Sequence, residues 1–190
     1  MSDMAKIALD HDSTLAATAV TALDLIHGPG HPYSYDDVLS WNWGLDKFGA
    51  ARYLSALWHA WTLRPLDVPL MDDTVVYSAN RLYDEHEVHI VTAHPDHMGI
   101  EEGKKEWLDY HGIQYDEFHV VPTDTTKAVL DYDIYIDDKP HLPVEVNKVS
   151  LDKQVYVYDQ AYNRDAEGDY KRVFTLGEAA EDILSVAHRI

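Results

Sequence analysis

Cysteine is absent from all 190 residues of the sequence. Its absence excludes disulfide bonds, thiolate zinc sites and a cysteine nucleophile, so any metal must be held by oxygen or imidazole ligands. Positive charge is also scarce, since 15 Lys and Arg stand against 34 Asp and Glu, and the net charge is −19. A chain of this charge repels polyanions, so we expect neither a nucleic-acid polymer nor a membrane surface as its partner.

Long hydrophobic runs are missing as well. No stretch of about 18 uncharged apolar residues occurs, and the N-terminus lacks the apolar run and small-residue cleavage site of a signal peptide. We therefore expect a cytoplasmic protein without membrane spans.

The residues that are present argue for a folded domain. Hydrophobic residues make up 46% of the chain, with 13 Tyr and 5 Trp, which contradicts the composition of a disordered protein. Of the 34 acids, 24 are aspartate. This aspartate-rich composition resembles that of haloarchaeal proteins, which work in concentrated salt where charge repulsion is screened. We expect fold and activity to depend on salt.

Short apolar runs alternate with amphipathic segments along the chain. Strands are predicted at 7–9, 88–92, 118–121, 134–136, 155–158 and 173–174. Helices are predicted at 14–26, from Asp72 or Asp73 onward, at 101–110 and after Thr175. This alternation predicts an α/β fold with a mostly parallel sheet flanked by helices, and ligands bind such sheets at the carboxyl ends of the strands.

An aromatic-rich insertion separates the first two strands. It contains four of the five tryptophans, and the spacing of Leu54, Leu57, Trp58 and Trp61 is helical. We predict that residues 17–71 form a small helical insertion in a core made of residues 1–16 and 72–190. Most of its aromatic residues are expected in its own core, and Trp41 and Trp43 are the candidates for a substrate pocket.

Polar residues follow several of the predicted strands: Asp10 and Asp12, Thr92, and Asp137 with Asp138. Lys127 lies ten residues before Asp137. Carboxylates brought together at one sheet edge would repel each other unless a cation lay among them. Because the available ligands are oxygens, Mg²⁺ is the expected cation.

Together these residues resemble the motifs of the haloacid dehalogenase (HAD) superfamily of phosphatases. Residues 10–14 (DHDST) resemble its first motif, Thr92 the second, Lys127 the third and Asp137-Asp138 the fourth. Within the superfamily, residues 127–140 and 157–164 resemble the cytosolic-type 5′(3′)-deoxyribonucleotidases. The resemblance implies a Rossmann-like core, and the insertion corresponds to the family's small cap.

The resemblance also implies a mechanism. Asp10 would be the nucleophile that forms an aspartyl-phosphate, and Asp12 the general acid and base. Metal ligands would be Asp10, the backbone carbonyl of Asp12, and Asp138, with Asp137 holding the metal's waters. Phosphoryl oxygens would be bound by Thr92, Ala93 and Lys127.

Two positions differ from the pattern of many relatives. His11 stands where they carry an apolar residue, and Ser13 stands where they carry glycine. His94, which follows the second motif, is a further candidate for contact with substrate, although most of the 12 histidines are expected at the surface.

Three functions remain open from the sequence. The first is a Mg²⁺-dependent phosphomonoesterase acting on (deoxy)nucleoside monophosphates. The second is a HAD phosphatase acting on a sugar phosphate or another small ester. The third is a non-catalytic acidic module that binds a divalent cation. A small phosphate ester is the expected partner, and a homodimer is left open.

Overall fold

A computed structural model describes residues 4–95, 99–123 and 125–187. Within these ranges six β-strands occur: β1 Lys6–Leu9, β2 Glu87–Ala93, β3 Glu117–Val121, β4 Ile134–Asp137, β5 Gln154–Tyr158 and β6 Lys171–Val173. The same ranges contain seven α-helices: α1 Thr18–His27, α2 Trp43–Phe48, α3 Ala50–Leu63, α4 Val75–Glu85, α5 Ile100–His111, α6 Leu142–Val149 and α7 Leu176–Ala187. None of these helices has the length and hydropathy needed to cross a bilayer.

All six strands lie parallel in one sheet, in the order β3-β2-β1-β4-β5-β6. This confirms the predicted Rossmann-like α/β fold. The chain builds the sheet outward from β1 on one side and from β4 on the other, so β1 and β4 are neighbours at the point where the strand order reverses. Their carboxyl ends face the same edge, because Leu9 pairs with Ile136. Such a reversal point is where open α/β sheets bind ligands.

Each face of the sheet has its own apolar core. One contains Ile7, Leu9 and Ile136 together with the buried sides of α4, α5 and α7. The other contains Ala8 and Tyr135 with the buried side of α6. Successive residues of β1 therefore point to opposite faces, as expected for a strand buried on both sides.

Two helices differ from the sequence prediction. Helix α1 begins at Thr18, four residues later than predicted, because residues 13–17 form a turn instead of a helix. Helix α6 was not predicted, since Val144, Val146 and Val149 favour strands. Pro143 lies in the first turn of α6, where its fixed φ angle favours a helix start.

Helices α1, α2 and α3 lie between β1 and α4 in the chain. The segments on either side of them run side by side: Ala17 N donates to Pro69 O at 2.8 Å, and Met71 N donates to Leu15 O at 2.8 Å. We propose that the chain divides here into a core (1–16 and 72–190) and a cap (17–71).

Candidate active site

The carboxyl ends of β1 and β4 bring three buried carboxylates together. Asp10, Asp137 and Asp138 each offer an oxygen within 4.8 Å of the others', and they are 6%, 3% and 4% exposed. The register of β1 and β4 brings these carboxylates together, since Asp10 N donates to Ile136 O at 2.9 Å. Residues that follow these two strands must then be neighbours.

Lys127 supplies the positive charge among these carboxylates. Its ammonium donates to Asp10 Oδ1 at 2.5 Å and to Asp137 Oδ2 at 2.7 Å. The residue begins a short 3₁₀ turn in which Thr126 Oγ1 accepts a hydrogen bond from Ala128 N at 3.1 Å. This turn fixes the backbone of Lys127 between β3 and β4.

Burial dominates the electrostatics of this group. It raises the pKa of Asp10 to about 6, against the opposing effect of the Lys127 ammonium, and the negative charge of Asp137 acts in the same direction as burial. Burial alone would lower the pKa of Lys127, but Asp10 and Asp137 raise it above its usual value. Lys127 is therefore charged, and Asp10 holds a proton more easily than an ordinary aspartate.

Asp138 is positioned by the turn that follows β5. Tyr162 donates its hydroxyl to Asp138 Oδ2, and Asn163 Nδ2 donates to the Asp138 carbonyl at 2.8 Å. Burial, followed by the charges of Asp10 and Asp137, raises the pKa of Asp138 well above its usual value. Without a bound cation, the surrounding residues compensate only part of the negative charge of Asp10, Asp137 and Asp138.

The donor set fits a magnesium ion. Hard cations take oxygen ligands, and Asp10, Asp137 and Asp138 place three carboxylates close together. One buried lysine offsets only part of their charge, and burial, with a further contribution from the neighbouring carboxylates, raises the pKa values of Asp10 and Asp138. A divalent cation would remove that repulsion.

Asp12 lies two residues beyond Asp10 but in a different environment. Its Oδ1 accepts hydrogen bonds from Thr18 Oγ1 at 2.6 Å and from Trp61 Nε1 at 2.9 Å. Its Oδ2 accepts from the Lys104 ammonium and, at 3.3 Å, from Thr92 Oγ1. The cap, through Thr18 and Trp61, and the core, through Lys104 and Thr92, therefore meet at this carboxylate.

Because Lys104 pairs with Asp12, the pKa values of Asp12 and Asp10 shift in opposite directions. Burial alone would raise the pKa of Asp12, but the Lys104 ammonium and its hydrogen bond, helped by that of Thr18, hold this pKa well below its usual range. The pKa of Asp10 is raised instead. Two neighbouring carboxyl groups whose pKa values are pushed apart are a frequent feature of acid–base sites. Before metal and substrate bind, however, the order here is the reverse of the one that a nucleophilic Asp10 and a protonated Asp12 require.

Sequence reasoning missed Lys104, although a signal was present. In α5 the buried residues include Ile100, Lys104 and Leu108, which recur every fourth position along one helix face. A lysine on an otherwise apolar face requires a buried partner. Here the ammonium contacts Asp12 and donates to Thr92 Oγ1 at 2.6 Å. Trp61 was predicted only as a residue of the cap core. It is buried, with 3% of its surface exposed, but its indole also donates a hydrogen bond to Asp12.

The two departures from the family pattern in the first motif, His11 and Ser13, each have a defined environment. His11 is fully buried edge-on to Trp61 and Trp107, with ring centroids 4.8 and 5.1 Å away. Burial lowers its pKa to about 3, so it packs as a neutral ring. Ser13 has φ 61°, a left-handed conformation that glycine adopts without strain. Its carbonyl accepts a hydrogen bond from Gln160 Nε2 at 2.9 Å.

Trp41 contacts a residue that binds Asp138, and Trp43 packs against other aromatic residues of the cap. Trp41 is 53% exposed, and its ring is edge-on to Tyr162, with centroids 5.6 Å apart. Trp43 packs inside the cap against Tyr33 and Phe48, at 5.7 and 5.4 Å. Of these two pocket candidates, only Trp41 contacts a residue that binds Asp138.

The residues that follow Thr92 lie at the end of β2. Ala93 is the last residue of the strand and is exposed. His94 is half-buried, its Nδ1 lies 2.8 Å from Pro95 O, and burial lowers its pKa. The charges of Lys104 and Asp12 both act on His94, whereas Ala93 is placed only as the residue that follows Thr92 in β2.

Contact between the cap and α5 is closest at Gly103. A Cβ atom added there would lie 1.9 Å from the backbone oxygen of Trp61 and 2.9 Å from its carbonyl carbon. We predict that Gly103→Ala forces α3 away from α5 and lowers stability by about 1–3 kcal/mol. For a domain of this size, the melting temperature would fall by roughly 2–12 °C.

If α5 were not in close contact with α3, Gly103→Ala would raise stability. Alanine is favoured over glycine inside a helix by about 1 kcal/mol, so an unchanged or higher melting temperature would contradict the close approach. Glu102→Ala, at an exposed neighbouring position of α5, is the matched control and should change stability by less than about 0.5 kcal/mol.

Solved structures with the same fold are HAD-like hydrolases. A haloacid dehalogenase-like hydrolase from Streptococcus pneumoniae has a TM-score of 0.60 at 13% identity, covering 96% of this chain and 100% of its own. One from Xanthomonas campestris has a TM-score of 0.55 at 11% identity, with full coverage of both chains. A putative HAD-hydrolase from Bacillus subtilis, solved bound to magnesium, has a TM-score of 0.55 at 13% identity and covers 95% and 98%. These likenesses define the fold class.

The family is shown by sequence. A model of the family described as 5′ nucleotidase, deoxy (Pyrimidine), cytosolic type C protein matches residues 5–189. The chain therefore belongs to this family, and it is an enzyme of the HAD phosphatase and nucleotidase kind. No protein of the curated set matches it in sequence.

Proposed function

We propose that this enzyme is a Mg²⁺-dependent phosphomonoesterase that hydrolyses (deoxy)nucleoside monophosphates through an aspartyl-phosphate on Asp10. The observation that carries the proposal is the buried group of Asp10, Asp137, Asp138 and Lys127 at the reversal point of the sheet. The family's cytosolic type supports a cytoplasmic location.

Asp10 is the nucleophile in this proposal. Its carboxylate oxygen attacks phosphorus, the bond from phosphorus to the ester oxygen breaks, and the phosphoryl group remains on Asp10. With a pKa of about 6, Asp10 is ionised at neutral pH. Lys127, bound to Asp10 Oδ1, holds the carboxylate in place and offsets charge on the phosphoryl oxygens.

Asp12 moves the proton. It protonates the leaving alkoxide in the first step, then takes a proton from the water that attacks the aspartyl-phosphate, which releases phosphate and restores Asp10. Lys104 holds Asp12 ionised before substrate binds. A phosphoryl group beside Thr92 would compete for the Lys104 ammonium, because Lys104 already lies 2.6 Å from Thr92 Oγ1. Losing that partner would raise the pKa of Asp12, so that Asp12 could take up a proton from solvent when substrate binds, pass it to the leaving alkoxide and recover one from the attacking water.

Asp10 and Asp138, with the backbone carbonyl of Asp12, would hold Mg²⁺, and Asp137 would support the ion's waters. When bound, the ion neutralises carboxylate charge and polarises the phosphoryl group. The carboxylates themselves determine how this binding depends on pH. Because the pKa of Asp10 is raised to about 6, protons compete with the cation below that pH.

We predict that Mg²⁺ stabilises the protein much more at pH 8 than at pH 5. The folded state of the metal-free protein keeps a proton on Asp10 that the unfolded state loses near pH 4. Stability of the metal-free protein therefore falls as pH rises through about 4 to 6. Mg²⁺ at about 100 times its Kd would restore about 2.7 kcal/mol at pH 8, or roughly 5–11 °C in melting temperature.

Differential scanning fluorimetry of EDTA-treated protein with and without Mg²⁺ measures this shift at both pH values. Asp138→Asn should lose most of the shift at pH 8. Asp84→Asn, an exposed carboxylate on α4, should keep it. A shift of equal size at pH 5 and pH 8 would contradict the competition between protons and cation.

Trp41 supports a nucleotide as substrate. It is exposed, and it touches Tyr162, which binds Asp138. A half-exposed indole next to a phosphate site offers a face on which a base can stack. Stacking contributes about 1–3 kcal/mol per base, so Trp41→Ala should raise the KM for nucleotides by roughly ten-fold.

A panel of monophosphates tests the proposal. Hydrolysis of 5′- and 3′-deoxynucleotides, sugar phosphates and p-nitrophenyl phosphate is measured with Mg²⁺ at about 1 M salt, where the Debye length is about 3 Å. We expect the highest kcat/KM for nucleotides and a KM that rises as salt is removed. Trp41→Ala should weaken nucleotides but not p-nitrophenyl phosphate, and Leu39→Ala, an exposed cap residue, is the control.

Each other outcome supports an alternative. Sugar phosphates that equal or exceed nucleotides, with no effect of Trp41→Ala, would indicate a HAD phosphatase for another small ester. The family match argues against the third function left open by the sequence, a non-catalytic module. Absence of hydrolysis across the whole panel would contradict the proposed phosphomonoesterase activity on these esters. Full activity and fold after dialysis to low salt would contradict the halophilic interpretation of the −19 charge.

A further inference from the structure

A second cluster of ligand-type side chains lies on β2 and β3, away from the site described above. His89 of β2 pairs in register with Glu117 of β3, and His119 lies two residues further along on the same face of β3. His89 precedes Thr92 by three residues, which places it about 10 Å back along the strand. This cluster, called here the His89 cluster, is therefore separate from the carboxylates at the opposite end of the sheet.

The distances within the cluster resemble those of a metal site. His119 Nε2 lies 3.2 Å from His89 Nδ1 and 2.7 Å from Glu117 Oε2, and His89 Nδ1 lies 3.6 Å from the same oxygen. In a tetrahedral zinc site with bonds of about 2.05 Å, ligand atoms are about 3.3 Å apart. The three observed distances bracket this value, so a small inward or outward adjustment would place all three atoms at bonding distance.

The surroundings hold His89 in the orientation that a metal ligand needs. The side chain is 1% exposed, and its other nitrogen, Nε2, faces Glu87 Oε1 at 2.9 Å. Although the two atoms are close, Nε2 has no hydrogen-bond partner among the described residues. A carboxylate at this position still favours a proton on Nε2, which leaves the lone pair of Nδ1 directed into the cluster.

Access to the cluster is open on one side. His119 and Glu117 are 39% and 59% exposed, whereas His89 is buried. Tyr132 covers the inner side, and its hydroxyl forms a hydrogen bond with His89 Nδ1 at 3.0 Å, which a bound ion would replace. An ion could therefore enter from solvent, bind three protein ligands and keep a water as its fourth.

We propose that His89 Nδ1, His119 Nε2 and a carboxylate oxygen of Glu117 form a binding site for Zn²⁺ or a similar transition metal. Two imidazoles and one carboxylate favour such ions over Mg²⁺, which prefers oxygen ligands. Because β3 is the edge strand of the sheet, the ion would tie that edge to β2 and stabilise it. This site is independent of the phosphatase centre and does not rest on its proposed substrate.

The experiment uses the full chain, treated with EDTA and then kept in excess Mg²⁺ so that the carboxylate site is occupied. Zn²⁺ is titrated by calorimetry, and Co²⁺ is titrated by visible absorption, because tetrahedral Co²⁺ with nitrogen ligands gives intense d–d bands. We expect one equivalent of Zn²⁺, a higher melting temperature, and a tetrahedral Co²⁺ spectrum. The hydrolysis rate with Mg²⁺ is the separate readout of the phosphatase centre.

Variants assign the ligands. His119→Ala and Glu117→Gln should each weaken Zn²⁺ binding by more than roughly 100-fold, and Glu87→Gln should weaken it by about 10-fold, as expected for a residue that orients a ligand. His59→Ala, an exposed histidine of the cap, should leave binding unchanged. His119 is partly exposed, so its variant should fold, and an unchanged melting temperature without metal checks this.

Two results would overturn the proposal. One is wild-type protein that takes up no more Zn²⁺ than His119→Ala. The other is Co²⁺ bound only with the weak spectrum of six oxygen ligands, which would mean that the metal had displaced Mg²⁺ at Asp10 and Asp138.

Discussion

Replacing Asp10 with asparagine is expected to abolish hydrolysis. Asparagine cannot form an aspartyl-phosphate, so kcat should fall by about 10⁴-fold or more, as when the nucleophile is removed from other enzymes with covalent intermediates. The fold should survive, since the substitution removes one of three neighbouring buried carboxylates and leaves Lys127 paired with Asp137 at 2.7 Å. Single-turnover hydrolysis of a deoxynucleotide, with circular dichroism of the same sample, measures both effects.

Asp84→Asn makes the same chemical change at an exposed position of α4 and should leave kcat within a factor of two of wild type. Activity of Asp10→Asn close to that of Asp84→Asn would exclude Asp10 as the nucleophile. A loss of activity accompanied by a loss of helical signal would also count against the expected result, because the burial pattern predicts a stable variant.

The sequence predicted those parts of the site that depend on strand ends. An apolar run followed by aspartates places Asp10 and Asp138 at the edge of the sheet, and parallel strands put all such ends on the same side. To predict these positions, one needs only the apolar runs that end in aspartates and the rule that parallel strands end at the same edge of the sheet. That is why the fold class, the strand ends and the approach of Asp10 to Asp137 could all be expected before the structure.

Partners contributed by helices were not predictable in the same way. Trp61 and Lys104 reach Asp12 because α3 and α5 approach closely at Gly103. The period of α5 marks Lys104 as buried, but its partner depends on how the two helices pack in space, which no local sequence period encodes. Helix α6 was missed for a different reason. Its valines favour a strand, and Pro143 in the first turn together with the packing of Leu142 and Val146 against the sheet overrides that preference.

The second large effect, a loss of stability, is expected for Lys104→Met. Methionine removes the positive charge between Asp12 and Thr92 but fills nearly the same space as the lysine side chain. Breaking a fully buried ion pair costs about 3–5 kcal/mol. We expect about 2–4 kcal/mol here, because the Asp12 side chain is still 32% exposed although Lys104 is only 1% exposed. Denaturant unfolding at pH 7 measures this loss.

The pH dependence of the loss identifies its cause. In wild type the pKa of Asp12 lies below its usual range because of Lys104, so the stabilisation is present above the unfolded value of about 4 and is lost as pH falls below it. The difference between wild type and Lys104→Met should therefore shrink below pH 4. A constant difference at all pH values would indicate lost packing instead of a lost ion pair.

Lys105→Met provides the matched control on the same helix. Lys105 pairs with Glu101 at 2.6 Å across an exposed turn, and such surface pairs contribute less than about 1 kcal/mol. Activity should separate the two variants further: Lys104→Met should lower kcat by roughly 10²-fold or more, the effect of losing one charge-stabilising donor, while Lys105→Met stays near wild type. Equal effects of the two substitutions would mean that the pairing of Lys104 with Asp12 has no part in catalysis or stability.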